Sequence, residues 1–277
     1  MLYLISTGLN LGQVGILIGI LFITQVIFEI SSSIWADRYS RKNILVIGII
    51  FWVIAQIFFL GNSFISFVWM SIFAGISSAF ASGTESAITY DTLINLDKEK
   101  EYDRIKSKIQ GIFFVGRAVA VIAGVLAYIY NPKLPFVLSI IVALLAVFLL
   151  SLLKEPTFHK SQGNHFGQIK ESIKFLLTNE KVWLIILVFS LISASSDMLY
   201  NYYQPVLNFA ELPIIDFIYV YLGISVVSFI GAITYAKLAK LLSSNKILVF
   251  YSLVLFAVSL GFATEKLFLV LPSVLLL

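Results

Sequence analysis

The sequence predicts an all-α protein, a polytopic bundle of transmembrane helices. Hydrophobic residues make up 60% of its 277 residues and charged residues only 12%, and the mean hydropathy is +0.98. A soluble domain carries about twice that share of charge. The apolar residues also fall in long runs separated by short polar stretches, as expected of helices that each need about 20 residues to cross a bilayer.

The apolar runs predict eight spans and the beginning of a ninth. Their approximate bounds are 12–35, 43–61, 64–91, 109–130, 134–153, 182–207, 213–236 and 246–263, and the ninth begins near Leu267. Two connections are long and polar, 92–108 and 154–181. Apolar residues of the second fall on one helical face and predict an amphipathic helix on the membrane surface: Phe166, Ile169, Ile173, Leu176 and Leu177.

Three regions follow from this pattern. Residues 1–153 are predicted to form an N-terminal bundle, 154–181 a cytoplasmic linker, and 182–277 part of a C-terminal bundle. The lipid bilayer is therefore the first predicted partner. The chain is expected to be a multi-pass integral protein of a bacterial cytoplasmic membrane.

The distribution of basic residues predicts the orientation. If the spans alternate from a cytoplasmic loop at Asp37, nearly all of the 19 Lys and Arg residues lie on the cytoplasmic side. The exceptions are Lys133 and Lys266 on the outer side and Arg117 within a span. Cytoplasmic loops carry such an excess of positive charge. The net charge of +4 thus concerns orientation, and no nucleic-acid partner is expected.

The composition also limits the chemistry. The chain has no cysteine, and its two histidines, His159 and His165, fall in the polar linker. Disulfides, thiolate metal sites and a histidine metal site are therefore not expected. No phosphate-binding loop motif of ATPases is present. We expect no cofactor, no ATP-driven pumping and no enzymatic activity.

The most specific pattern lies between the first two predicted spans. It reads Ser33-x-x-x-Asp37-Arg38-x-Ser40-Arg41-Lys42, and its four charges cannot lie in hydrocarbon, so a tight turn at a membrane face is expected. The pattern resembles the loop between the second and third spans of the major facilitator superfamily, G-x-x-x-D-R-x-G-R-K, with serine at both glycine positions. The alternative interpretation is a generic basic hairpin.

The resemblance implies a transporter that moves a small solute by alternating access of two six-span bundles. A short match between 36–46 and 239–249 is consistent with two repeated halves. Residues 1–7 then correspond to the end of a first span, and the chain is expected to be a fragment lacking the rest of that span and the last two to three spans. Two alternatives remain: a non-transporting membrane sensor or scaffold of the same fold, and an inactive gene fragment.

The resemblance also implies roles for single residues. Asp37, Arg38, Arg41 and Lys42 form the conformational motif of the family, and Asp91, at the cytoplasmic end of its span, pairs with Arg41 in a charge relay. The alternative for Asp91 is an ordinary solvated helix end.

Three charges within the predicted N-terminal bundle form a second candidate site. Glu85, Glu29 and Arg117 lie roughly 9, 12 and 13 Å from the cytoplasmic ends of their spans, at about 1.5 Å per residue. Similar depth makes mutual contact feasible, and the set has one acid more than it has bases. We predict that Glu85 pairs with Arg117 and that Glu29 exchanges a proton during transport. The alternative is a static ion-pair cluster that fixes packing.

Two further patterns concern packing and the solute. Small residues recur at a spacing of four and predict close helix contact: Gly75, Ala79 and Gly83, then Gly116, Ala120 and Gly124. Polar and aromatic residues end the span 182–207, where family members place substrate contacts: Asp197, Tyr200, Tyr203 and Gln204. The resemblance therefore implies that these line the substrate cavity, and the alternative is an interfacial aromatic belt.

Overall fold

The regular structure of the chain is helical, as predicted. The computed structural model describes residues 1–38, 40–153, 175–176, 178–227, 244–264 and 266–275. No strand occurs in these ranges. By length and composition, six helices of the described part could cross a membrane. The predicted amphipathic helix in 154–181 lies largely outside the described residues, and so do residues 239–243 of the repeat copy at 239–249.

The helices follow the predicted spans closely. They are α1 Leu2–Ser6, α2 Leu11–Arg38, α3 Arg41–Phe59, α4 Phe64–Ala81, α5 Thr84–Asn95, α6 Tyr102–Tyr130, α7 Leu134–Leu152, α8 Glu180–Phe209, α9 Ile214–Val227, α10 Ser244–Ala263 and α11 Leu267–Leu275. The loop that carries the conformational motif is shorter than expected. Asp37 and Arg38 are the last residues of α2, and Arg41 and Lys42 are the first residues of α3. Likewise, the linker predicted at 92–108 is mostly taken up by α5 and α6.

The predicted span 64–91 is interrupted. Gly83 has a φ of +71° and precedes the first residue of α5, and the N–H of Thr84 bonds to the carbonyl oxygen of Ser82 at 2.8 Å. Glycine adopts this left-handed conformation without the steric cost that a Cβ would bring. Two helices, α4 and α5, therefore replace the single helix expected, and Gly83 is a helix break rather than a packing residue.

The described residues divide into two compact units. One contains residues of Tyr3–Phe113 and Tyr130–His165, and the other contains Met1–Leu2, Phe114–Ile129 and residues of Phe166–Leu277. We call them the first and second units. The bundle boundaries predicted near 153 and 182 stay a prediction.

In the first unit, α2 and α4 pack at close range. A Cβ placed on Gly75 would collide with the carbonyl oxygen of Leu21 and lie 2.8 Å from Cβ of Thr24. One turn further along α4, Ala79 is fully buried, and its carbonyl oxygen accepts a hydrogen bond of 2.8 Å from Ser32 Oγ. The small residues of α4 thus permit the approach that their spacing predicts. Around Gly116 and Gly124 of α6, by contrast, a Cβ would meet no described atom within 4 Å.

The second unit has an apolar core built by α8, α9 and α11. Its buried members are Tyr203, Leu207, Phe217, Val220, Ile224, Val270 and Val274. Partly buried side chains from α6 and α8, Val125 and Tyr200, pack against this core. The core therefore holds the end of α8 to which the predicted substrate residues belong.

Candidate functional site

An ion pair lies where α3 begins and α5 ends. Arg41 Nη1 is 2.5 Å from Asp91 Oδ2, and the two side chains are only 17% and 14% exposed. Ser40 positions the arginine, because its hydroxyl caps α3 by accepting a hydrogen bond of 3.0 Å from the N–H of Asn43. This contact joins the two residues that the resemblance pairs. Its role in conformational change stays a prediction.

Lys42 extends this cluster to a third helix. Its Nζ donates hydrogen bonds of 2.8 Å to the carbonyl oxygen of Ser151 and 2.6 Å to that of Leu153. These groups end α7, where carbonyls lack partners within the helix and the helix dipole favours a cation. We call Arg41, Lys42, Asp91 and these two carbonyls the basic-end cluster. The side chains of Asp37 and Arg38 lie outside the described residues.

The end of α3 and the start of α7 are also in contact. Lys133, just before α7, donates a hydrogen bond of 2.9 Å to the carbonyl oxygen of Leu60, just after α3. Tyr3 Oη donates a hydrogen bond of 3.3 Å to Asn62 Oδ1 in the same connection. The ends of α3 and α7 are therefore paired at both extremities, as alternating spans require.

Glu29 lies beside the break between α4 and α5. Its Oε1 accepts a hydrogen bond of 2.7 Å from Ser82 Oγ, and the side chain is half-buried. A carboxyl group in this position is held by α2 against the connection that precedes Gly83. Its participation in proton coupling stays a prediction.

Glu85 occupies a different environment. It is exposed and borders a small cavity between α5 and the start of α6. The cavity has a volume of about 50 Å³ and is lined by Glu85, Ser86, Thr89, Tyr102, Lys106, Ile109 and Gln110. Lys106 Nζ lies 5.4 Å from the centre of the Tyr102 ring. Sequence reasoning missed Tyr102 and Lys106 because they fell in a predicted linker; their spacing of four, one helical turn, was the available signal.

Arg117 is placed against an aromatic ring of the second unit. Its guanidinium carbon lies 5.5 Å from the centre of the Tyr200 ring, in cation–π geometry. Among the described residues of the second unit, no carboxylate forms an ion pair with Arg117. Glu85 and Arg117 belong to different compact units, and their pairing stays a prediction.

The predicted substrate residues of α8 differ in burial. Tyr203 is 2% exposed and belongs to the apolar core, whereas Asp197 is exposed and Tyr200 half-buried. Gln204 Nε2 donates a hydrogen bond of 3.0 Å to Tyr221 Oη and a longer one of 3.4 Å to Tyr203 Oη. Sequence reasoning missed Tyr221, since a single tyrosine in an apolar span carries no distinctive pattern. Solute contact by these four α8 residues stays a prediction.

Comparison with known proteins decides the family. The sequence model of the Major Facilitator Superfamily matches residues 1–277. The chain belongs to this superfamily. The resemblance drawn from the loop motif is thereby confirmed, and the apolar helices are those of an integral, multi-pass membrane protein.

Curated members of the superfamily resemble the chain over part of their length. The uncharacterized MFS-type transporter YxaM of Bacillus subtilis (strain 168) is 28% identical over 214 residues, which cover 75% of this chain and 53% of that protein. Multidrug resistance protein 1 of the same organism is 29% identical over 195 residues, covering 68% of this chain and 48% of that protein. The chain thus spans about half the length of the curated relatives it matches.

No group of three or more His, Asp or Glu residues that could hold a metal ion occurs among the described residues. Their charged groups instead connect helix ends or lie within spans, as in the basic-end cluster and at Glu29 and Arg117. Such groups can bias which helix ends are in contact.

Proposed function

We propose that this protein carries out secondary active transport of a small solute across the bacterial cytoplasmic membrane, by alternating access coupled to protons. Membership of the superfamily and relatives named as transporters support transport in general. The observation that carries the proposed mechanism is the Arg41–Asp91 ion pair between the start of α3 and the end of α5.

The position of this pair suits a reversible contact between helix ends. Both side chains are mostly shielded from water, so the charges attract each other more strongly than an exposed pair does, while each would be costly to leave alone. Removing one partner of a buried pair costs about 3–5 kcal/mol. An opening on the cytoplasmic side that separates the two charges therefore requires water to reach them. The ion pair is then formed when the pathway is closed on this side and separated when it is open.

Glu29 is the proposed proton-coupling group. As a carboxylate it accepts the Ser82 hydroxyl hydrogen, and as a neutral acid it can donate a hydrogen bond instead. Protonation therefore changes the contact at the connection that precedes Gly83 and removes a charge from a membrane span. The alternative is a static polar contact that only fixes α2 against this connection.

The function is tested with the full-length protein reconstituted in liposomes of phosphatidylethanolamine and phosphatidylglycerol. Because one relative is named a multidrug resistance protein, the solute panel consists of structurally unrelated amphipathic dyes. We expect flux of at least one dye that is driven by a pH gradient and dissipates that gradient. Glu29→Gln should abolish the pH dependence, whereas Glu99→Gln, at an exposed position between α5 and α6, should not.

The outcomes separate the alternatives. Dye binding without flux under any imposed gradient would favour a sensor or scaffold and contradict transport. If Glu29→Gln keeps the wild-type pH dependence and still dissipates the gradient, then Glu29 is not the coupling group. Transport itself would stand in that case.

A further inference from the structure

Arg117 lies deep within a helix that is long and apolar enough to span the membrane. It lies nine residues after Lys108 and thirteen before Tyr130, roughly 13 and 20 Å at about 1.5 Å per residue. A charged residue at such depth is costly and generally faces a bundle interior or a water-filled cavity. The position of Arg117 therefore calls for a partner that compensates its charge.

The described protein supplies only part of that compensation. The Tyr200 ring lies 5.5 Å from the guanidinium carbon, and a cation–π contact contributes about 0.5–2 kcal/mol. Among the described residues of the second unit, no carboxylate pairs with Arg117 and no acceptor receives a hydrogen bond from it. The Arg117 side chain is half-buried, so it is not enclosed on all sides.

The acidic residues in the predicted spans have other placements. Glu29 accepts a hydrogen bond from Ser82, Glu85 lines the cavity with Tyr102, and Asp197 is exposed one helical turn before Tyr200. The other acidic residues of the chain fall in predicted loops or at helix ends. Within the described second unit, a negative charge for Arg117 is thus best supplied by a bound ligand.

Tyr200 itself is held by a network of aromatic and amide groups. Its ring centre lies 5.7 Å from that of Tyr203, which meets Tyr221 edge to face at 5.5 Å. Gln204 connects the two phenol oxygens through its Nε2. This partly buried network holds the ring against which the guanidinium rests, which favours one orientation of the arginine.

We propose that Arg117 binds the anionic group of the transported solute, a carboxylate, sulfonate or phosphate, and that Tyr200 positions the guanidinium for it. The inference rests on the proposed transport function and adds a substrate class to it. An arginine fork can form two parallel hydrogen bonds to such an oxyanion. The bond would be strengthened by the low dielectric of the membrane interior.

The test compares two xanthene dyes of similar size and opposite charge. Binding of fluorescein, an anion with a carboxylate, and of rhodamine 123, a cation, is measured on the purified full-length protein in detergent. We expect Arg117→Gln to weaken fluorescein binding about tenfold or more, since a charge-assisted bidentate contact is lost, and to leave rhodamine 123 binding unchanged. Arg104→Gln, at an exposed position near the start of the same helix, is the matched control and should change neither.

Two further variants examine orientation and folding. Tyr200→Phe retains the ring and should bind fluorescein as the wild type does, whereas Tyr200→Leu should bind it several-fold more weakly. Arg117→Lys keeps the charge without the planar fork and should weaken fluorescein binding alone. If Arg117→Gln does not fold, Arg117→Lys decides the question, and wild-type fluorescein affinity in that variant would overturn the inference.

The remaining outcomes are equally decisive. If Arg117→Gln binds fluorescein as tightly as the wild type does, the inference is overturned. A non-additive loss of thermal stability in Arg117→Gln combined with Glu85→Gln or Asp197→Asn also overturns it, because it would assign the arginine to an internal ion pair. Specific anion binding without flux in liposomes would support the anion site and contradict transport. Flux of rhodamine 123 alone would support transport and contradict the anion site.

Discussion

Lys42 donates a hydrogen bond of 2.8 Å to the main-chain oxygen of Ser151, 109 residues further along the chain. The contact links the first turn of α3 to the last turn of α7, and a second bond to Leu153 reinforces it. One flexible side chain thereby satisfies two carbonyl groups that the helix leaves without donors.

Replacing this lysine should destabilise the first unit. We expect Lys42→Gln to lower the free energy of unfolding by about 1 kcal/mol, from the lost interaction with the end of α7. Lys42→Arg should retain most of the stability. Thermal denaturation in detergent measures both, and Lys108→Gln, at an exposed site of α6, is the control. Equal melting temperatures for Lys42→Gln and Lys108→Gln would show that the contact contributes nothing.

The Arg41–Asp91 pair should behave as a unit. Arg41→Gln and Asp91→Asn each leave one shielded charge without its counterpart, and each should reduce both thermal stability and dye flux. The double variant should be less impaired than the sum of the two, with a coupling of about 0.5–3 kcal/mol. The measurement is a double-mutant cycle on melting temperature and flux in the full-length protein. Strict additivity would favour the alternative interpretation, in which Asp91 is an ordinary solvated residue at a helix end.

Gly75 and Gly19 offer a matched pair of substitutions. Gly75→Ala should destabilise the protein by about 1–3 kcal/mol, because the new methyl group would meet main-chain atoms of α2 that cannot move aside. Around Gly19, in α2, a Cβ would meet no described atom within 4 Å, and Gly19→Ala should be neutral or stabilising. Thermal denaturation of the two variants checks the difference. Equal stability would argue against close contact of α2 with α4.

The orientation can be tested because the chain contains no native cysteine. Glu99→Cys, beyond the end of α5, should react with a membrane-impermeant maleimide only from the cytoplasmic side. Asn131→Cys, between α6 and α7, should react only from the outside. Both positions are exposed. Labelling of the two sites from the same side would contradict the alternation of spans.

Much of the fold follows from the sequence because lipid restricts the options. Apolar runs of sufficient length must be helices, and charged residues such as Arg41 must lie at helix ends, so the approximate bounds of α2 and α3 could be predicted. The geometric pairing of Arg41 with Asp91 could also be expected, since a family resemblance supplied it. Alternation of the spans predicts that α3 and α7 run in opposite directions. It does not predict which residues are in contact, such as Lys133 with Leu60.

Other features depend on three-dimensional contacts or on ambiguous residue types. Gly83 continues a small-residue spacing that favours packing, and only its backbone conformation shows that it interrupts the helix. Lys42 finds its partners more than 100 residues away, beyond any local pattern. Tyr203 lies in a stretch of polar and aromatic residues that predicts an interfacial belt or a ligand contact. In the structure it is instead buried in the apolar core.

The break at Gly83 has a consequence for hydrogen exchange. Nine residues of α4 are buried, whereas α5 buries only Thr84 and Leu93. The backbone hydrogen-bond ladder is not continuous from one helix to the other across Ser82 and Gly83. Amide protection should therefore fall sharply at this boundary, with α5 opening as its own cooperative unit while α4 stays closed. The carboxylates of Glu85 and Asp91 belong to α5, the helix that opens more readily, so rehydration of these groups need not disturb the packing of α4.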